Sequence, residues 1–280
     1  MPGRRAAWIA IPLAAALLAC CAPTAGAAVT LGSALGIDPP NSPGCTPGDC
    51  TVATTILPGR TVLSPVDGLL TTWRIRYDNS AGVSARARVI RRISEGEHLG
   101  VNSSATQLLP VHGLSSYSTE TFQTSLPIRT GDFVGLDLDG SGTNSIGLGA
   151  TAPFTTASQV WQPPLTDGGI SGMSALSNTE LGYNADVEPE VTTITGPPKA
   201  KVKTRKKKAR VTFSFASNQA GLGFQCSIDS APFSACSSPL SFKARKGSHS
   251  FSVETTLGGT KFGTSASFDF KVKKAKRRKR

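Results

Sequence analysis

Apolar and polar residues alternate in short runs along most of the chain. Trp73, Ile75 and Tyr77 alternate with arginines, and Phe213 and Phe215 alternate with small polar residues. Residues i and i+2 lie on the same face of a strand, so this period predicts strands with one buried face. Beyond the first residues, no stretch shows a sustained 3.6-residue apolar period. The pattern therefore predicts an all-β protein.

The runs fall into two groups that differ in spacing and composition. Six or more strands within residues 28–187 predict a two-sheet β-sandwich, which is jelly-roll-like. Residues 188–198 are rich in proline and predict an extended linker. About seven closely spaced runs in residues 199–274 predict a second, smaller antiparallel sandwich, and residues 275–280 form a basic tail.

The N-terminus has the composition of a secretory signal peptide. A basic start is followed by apolar residues 6–21 and by small residues at Ala25 and Ala27. The apolar run is too short for a transmembrane helix, so we predict a signal peptide over residues 1–27 that is cleaved before Ala28. The mature chain contains no later run long enough to span a membrane.

One alternative at the N-terminus concerns anchoring. Residues 17–20 read LLAC, which is the spacing of a lipobox and would make Cys20 a lipidated first residue. The predicted localisation is therefore secreted, with attachment to the cell surface through Cys20 as the alternative.

Four cysteines remain after the signal peptide, in two close pairs. An exported chain meets an oxidising environment, so we predict the disulfides Cys45–Cys50 and Cys226–Cys236. The spacing of the second pair does not fit a zinc site, and only His249 lies near it. We predict no metal and no cofactor.

Charge is divided between the two halves of the chain. Residues 28–195 carry a net charge of −7, and their eight basic residues are all arginine, whereas residues 196–280 carry +17. Two runs, residues 199–210 and 271–280, hold most of the positive charge. Seven residues are the candidate contacts to an anionic polymer: Lys206, Lys207, Lys208, Arg277, Arg278, Lys279 and Arg280.

The partner of these runs follows from compartment and composition. The chain is predicted to be exported, and the runs lack interleaved aromatics for base stacking, so we expect no specific nucleic acid. Anionic cell-envelope or extracellular polymers are the expected partners. The alternatives are a solvated linker and tail, or docking of the basic half on the acidic half. The sequence leaves open whether the two runs lie at opposite ends of the domain or side by side.

The second sandwich resembles a known module. Residues 224–229 read FQCSID, residues 232–239 read PFSACSSP, and residues 246–253 read KGSHSFSV. This pattern resembles an Ig-like module found in secreted proteins of soil actinobacteria. The resemblance implies an Ig-like fold with spacer or adhesion character and no catalytic site. The chain departs from that module after Val253, where a Gly258-Gly259 pair replaces the usual acidic Asn-Gly turn.

The first sandwich has a weaker likeness. Residues 64–73 and 126–133 resemble the lead domain of other exported jelly-roll-like proteins. That likeness implies no activity.

Candidate chemistry is sparse. Of the three histidines, His98 lies in a segment expected to be an exposed turn, and a hydrolase pairing His98 or His112 with Asp132 or Asp137 is the third alternative. Residues 137–144 loosely follow a calcium loop, but Ser141 and Leu148 stand where that motif needs ligands, and Asp-Gly is itself a turn signal, so a hairpin is the favoured interpretation. Familiar nucleophile and phosphate-binding motifs are absent from the sequence, so we predict no enzyme.

Carbohydrate binding by the first sandwich is the second alternative. Exposed aromatic rings stack on sugars, and Trp161, beside Gln162-Pro163-Pro164, is the candidate for a glycan contact. A loop tryptophan that pins a lid competes with this interpretation. Taken together, the sequence predicts a non-enzymatic structural or adhesive protein that attaches electrostatically to anionic polymers.

Overall fold

The computed structural model describes residues 26–41, 45, 48–79, 82–139, 146–153, 155–173 and 175–276. Every regular element in these ranges is a β-strand, so the predicted all-β class is confirmed. No helix of membrane-spanning length and apolarity occurs in the described residues. Residues 1–25 of the predicted signal peptide, including Cys20, lie outside the described ranges, as do the tail residues Arg277, Arg278, Lys279 and Arg280.

The described residues of the first half of the chain form fifteen strands. They are β1 (Val29–Gly32), β2 (Cys50–Ile56), β3 (Gly68–Asn79), β4 (Val83–Ser94), β5 (Glu97–Ser103), β6 (Gln107–Leu109), β7 (Gly113–Ile128), β8 (Phe133–Asp139), β9 (Ile146–Gly147), β10 (Gly149–Thr151), β11 (Ala157–Trp161), β12 (Ile170–Gly172), β13 (Ala175–Ser177), β14 (Thr179–Leu181) and β15 (Tyr183–Pro189).

Eight of these strands build two facing antiparallel sheets, in the orders β1-β15-β3-β7 and β5-β4-β8-β2. This is the strand order of a jelly roll. The alternating apolar side chains of both sheets meet in one core, where Trp73, Ile75 and Tyr77 are buried as their period predicts. Strands β11 to β13 extend the second sheet.

The second sheet of the jelly roll is also covered on its outer face. Residues 162–169 form a strap over Ile90, Phe133 and Trp161, which pack in a separate apolar cluster. Beside this cluster, Arg88 is 1% exposed and binds Asp137, with 2.7 Å between guanidinium and carboxylate. Two-sided burial explains why β8 begins with the successive apolar residues FVGL at 133–136 rather than with alternating ones.

The second half forms eight strands in a smaller sandwich. They are β16 (Thr192–Gly196), β17 (Lys201–Thr204), β18 (Lys208–Ser217), β19 (Gly223–Ile228), β20 (Ser234–Cys236), β21 (Leu240–Arg245), β22 (Gly247–Leu257) and β23 (Thr260–Lys274). The sheets have the orders β16-β18-β21 and β17-β23-β22-β19-β20, which is an Ig-like arrangement.

Phenylalanines fill the core between these two sheets. The rings of Phe213 and Phe251 stack across it with 4.1 Å between centroids. The Cys226–Cys236 disulfide joins the neighbouring strands β19 and β20, and Cys45–Cys50 closes the segment before β2, so both predicted pairings are confirmed. Gly258 and Gly259 both have positive φ and form the tight turn between β22 and β23.

The junction between the sandwiches is ordered by hydrogen bonds. Residues 188–198, expected as an extended spacer, contain the end of β15 and all of β16. Glu190 is 1% exposed, and its carboxylate accepts hydrogen bonds from Thr192, Ser217 and Thr264. Its burial among hydroxyl and amide donors explains why this acidic, proline-flanked segment is packed rather than solvated.

A second set of contacts reinforces the junction. The Arg129 guanidinium donates to the Lys261 carbonyl at 2.7 Å, and the Asp67 carboxylate accepts from the amides of Thr130 and Gly263. Burial opposes ionisation of Asp67, but these backbone hydrogen bonds lower its pKa overall. The turn between β22 and β23 is thereby fixed against the jelly roll.

Candidate anion-binding surface

The structure brings residues 201–204 of the first basic run beside residues 271–274 of the second. Strand β17 pairs with the end of β23 in parallel, so Lys201 lies beside Lys271 and Lys203 beside Lys273. Of the two arrangements that the sequence leaves open, the side-by-side one is observed. The paired residues are about seventy positions apart in the sequence. To make this pairing, the chain leaves the sheet of β16 and enters the other sheet as β17.

Four lysines on these strands share one outer face. Their neighbours Val202 and Val272 point toward the core, so the lysines at alternate positions are exposed. Strands lie about 4.8 Å apart and same-face residues about 6.6 Å apart, so the four side chains form a small cationic grid. We call this set the front cluster: Lys201, Lys203, Lys271 and Lys273.

A matching set lies on the other sheet. Strand β18 pairs with β21 so that Lys208 is opposite Arg245 and Arg210 is opposite Lys243. All four side chains are exposed, because Ala209 and its alternate neighbours face the core. We call this set the back cluster: Lys208, Arg210, Lys243 and Arg245.

Sequence reasoning missed half of the back cluster. Lys243 and Arg245 lie outside the two basic runs, in a strand with only these two charges. The alternation of Phe242 and Ala244 with them was the available signal, because it places both cations on the outer face.

No member of either cluster has a carboxylate partner within the described residues, where the only lysine ion pair is Lys261–Glu254. Like charges on opposite positions of neighbouring strands are destabilising. Both clusters contain such pairs, so their arrangement works against the stability of the sandwich. An anionic ligand would relieve this repulsion.

A groove connects the clusters at the open edge between β17 and β18. Its volume is about 680 Å³, and Lys199, Lys203 and Arg210 contribute to its lining. Lys206 and Lys207, predicted as contacts, are exposed in the tight turn that joins the two strands. The surface therefore continues around this edge of the domain.

His249 lies beside the front cluster and is paired with Asp229. Its Nδ1 lies 2.8 Å from an Asp229 carboxylate oxygen, and its Nε2 lies 2.8 Å from the Arg245 carbonyl. Burial alone would lower the pKa of His249, but hydrogen bonds to these two acceptors raise it overall. Both ring nitrogens must donate to satisfy both acceptors, which favours the imidazolium.

Trp161 does not occupy the position expected of a glycan contact. Its side chain is fully buried beneath the strap, in contact with the Phe133 and His98 rings. A buried indole offers no face to a sugar, so the expectation of an exposed Trp161 is wrong. Trp161 instead packs against Leu165 of the strap, which agrees with the competing interpretation of a tryptophan that pins a lid.

The histidines of the jelly roll also differ from expectation. His98 is 1% exposed rather than in an open turn, and its ring packs 5.0 Å from that of Trp161. Burial and the neighbouring Arg92 lower the pKa of His98. His112 lies 3.4 Å from the Tyr77 hydroxyl and 3.8 Å from Glu120.

The carboxylates proposed to assist those histidines bind arginines instead. Asp132 receives two hydrogen bonds from Arg91, and Asp137 binds both Arg86 and Arg88. Residues 140–144, which are most of the candidate calcium loop, lie outside the described ranges. In the described ranges, no three His, Cys, Asp or Glu side chains are grouped to hold a metal ion.

Comparisons with known proteins give little further constraint. No protein-family model and no curated protein matches the chain. Among solved structures, the chain is similar to the glycoside hydrolase domain of Endo-D from Streptococcus pneumoniae R6, with 10% identity, a TM-score of 0.20, and coverage of 72% of this chain and 29% of that one. It is also similar to the tripod from the baseplate of bacteriophage Tuc2009, with 14% identity, a TM-score of 0.21, and coverage of 88% and 97%. Superpositions this loose carry no argument about function.

Proposed function

We propose that this is a non-enzymatic exported protein with a structural or adhesive role at the cell envelope. Its Ig-like sandwich attaches electrostatically to anionic envelope or extracellular polymers. The observation that carries this proposal is the pairing of β17 with β23, which aligns lysines with lysines without a carboxylate partner in the described residues. An arrangement that is unfavourable in the free protein is stabilised when a polyanion binds.

The chemistry of the surface supports a non-specific mode of binding. Six of the eight cluster residues are lysines, which act as hydrated point charges, whereas planar bidentate recognition favours arginine. Attraction between such a surface and a polyanion is weakened by salt screening. The two disulfides indicate an oxidising compartment, which agrees with a partner outside the cytoplasm.

Salt-dependent sedimentation tests the proposal. Purified mature protein is mixed with isolated bacterial cell envelopes, or with neutral dextran beads, over a series of NaCl concentrations. We expect binding to envelopes that falls steeply with salt, and no binding to dextran. The K203Q/K273Q variant should bind more weakly, with the slope of log affinity against log salt reduced by about 1 per lost contact.

The matched control removes two charges elsewhere. Arg60 and Arg92 are exposed arginines of the jelly roll, so R60Q/R92Q changes the net charge equally and should bind as the wild type does. If both variants bound equally weakly, binding would depend on the net charge alone and not on the clusters, which would contradict the proposal. Binding to dextran that survives high salt would instead support the carbohydrate alternative.

A further inference from the structure

The two clusters lie on opposite outer faces of one sandwich. Alternate residues of β18, such as Phe213, face the core, and so do Phe270 and Val272 of β23. Since the two sheets pack through these inward side chains, the outward ones point away from each other. Packed sheets are about 10 Å apart, so the apolar core separates the two clusters except at the edge groove, where Lys203 and Arg210 line the same cavity.

Both faces are also clear of the jelly roll. The junction contacts Gly263 at one end of β23 and Ser217 at one end of β18. Lys271 is eight residues beyond Gly263, which is about 26 Å along an extended strand, and Lys208 is about 30 Å from Ser217. The clusters therefore occupy the end of the sandwich farthest from the junction.

We propose that the Ig-like sandwich is bivalent and cross-links linear polyanions, with one chain on the front cluster and another on the back cluster. This inference rests on the proposed function. A polymer on one face leaves the other face cationic, because outward-pointing charges on opposite faces interact mainly through the surrounding salt solution, which largely screens charges more than about 8 Å apart at physiological salt. The second chain then binds with little repulsion from the first.

The inference makes binding and cross-linking separable. A protein with one binding surface coats a polymer, whereas a protein with two opposed surfaces joins polymers into a network. Networks form at intermediate ratios of protein to polymer and dissolve in excess polymer, because each surface then holds a separate chain.

The test uses full-length mature protein with two soluble probes, heparin as a sulfated glycan and long-chain polyphosphate as a phosphate polymer. Static light scattering is followed as each probe is added. We expect scattering that rises, passes through a maximum and falls for the wild type. Titration calorimetry with short-chain polyphosphate should give two bound chains per protein.

Two quadruple variants remove one face each: K201Q/K203Q/K271Q/K273Q and K208Q/R210Q/K243Q/R245Q. Each removes four charges from exposed positions, and retention of the far-UV spectrum verifies the fold. We expect each variant to bind one short chain per protein and to lose the scattering maximum with long chains. A response to heparin but not polyphosphate, or the reverse, identifies which anionic group the faces prefer.

Specific outcomes would overturn the inference. One short chain per wild-type protein, or loss of all binding in both variants, would mean that a single polymer wraps around the edge groove and occupies both clusters. Persistence of the scattering maximum in either variant would also overturn it. If the wild type binds neither probe nor isolated envelopes, the proposed function fails, whereas binding without cross-linking removes only bivalency.

Discussion

The two sandwiches use charge in opposite ways. In the jelly roll, arginines bind aspartates within or beneath the sheets, as in the buried Arg88–Asp137 pair and the partly buried Arg91–Asp132 pair. In the Ig-like sandwich, the cations of both clusters stand on the surface without such partners among the described residues. Both halves are β-sandwiches, yet the charged residues of one stabilise its fold and the cluster residues of the other are free to contact a ligand.

Breaking the jelly-roll network should have the largest effect. Arg88→Met removes the buried partner of the 4% exposed Asp137 and leaves it with Arg86 and Thr51, so we expect the free energy of unfolding to fall by about 1–3 kcal/mol. Urea denaturation measures this loss. The control is Arg74→Met, whose pair with Asp186 is partly exposed and should contribute about 1 kcal/mol or less. Equal losses would contradict the distinction between buried and surface pairs.

Acid should change the stability of the two sandwiches in opposite directions, by an amount between the other two predicted effects. Burial lowers the pKa of His98 in the folded protein, so this histidine binds a proton more readily in the unfolded state. The jelly roll should therefore lose stability as pH falls below about 6.5. The pKa of His249 is raised, so its contribution is full below about 6.5 and is lost as pH rises through the folded value.

Denaturation followed separately in each sandwich tests this contrast. Tryptophan fluorescence reports on the jelly roll through Trp73 and Trp161, whereas the Ig-like sandwich contains no tryptophan. Exchange at its slowly exchanging amides reports on that sandwich instead. His98→Phe should flatten the pH dependence of the first transition, and His249→Gln that of the second. Parallel responses in the two sandwiches would contradict the assignment.

The smallest predicted effect has the opposite sign to most mutations. Lys203→Thr removes one of the facing lysine pairs and introduces a residue favoured in strands, so we expect stabilisation of about 0.2–1 kcal/mol. Thermal melting at low and high salt measures it, and the gain should shrink as salt screens the repulsion. A destabilised variant would mean that Lys203 makes favourable contacts that outweigh its repulsion from Lys273.

Local patterns were sufficient for the fold class and for the exposed faces of individual strands. Alternation placed Trp73 and Phe213 inside and arginines or lysines outside, because a strand's two faces follow directly from residue order. The burial of Trp161 was not predictable in this way. It depends on a strap covering the second sheet, and the consecutive apolar residues of β8 were its only local trace.

The functional surface was predictable only in part, for a related reason. The basic runs were visible in the sequence, but the grid formed by Lys201 and Lys271 depends on pairing between distant segments. Lys243 and Arg245 joined the surface through β18, again by a long-range pairing. Strand register between remote segments is set by the packed core as a whole, which short-range periodicity does not encode.

The packed junction sets a stand-off distance. Because Glu190 and Asp67 fix the base of the Ig-like sandwich, a polymer held at its tip lies about 26 Å from the jelly roll, or roughly three Debye lengths at physiological salt. The acidic first half would otherwise be repelled by the same matrix that attracts the second. Under the proposed function, the rigid junction keeps the acidic jelly roll away from the polyanion that the Ig-like sandwich would bind.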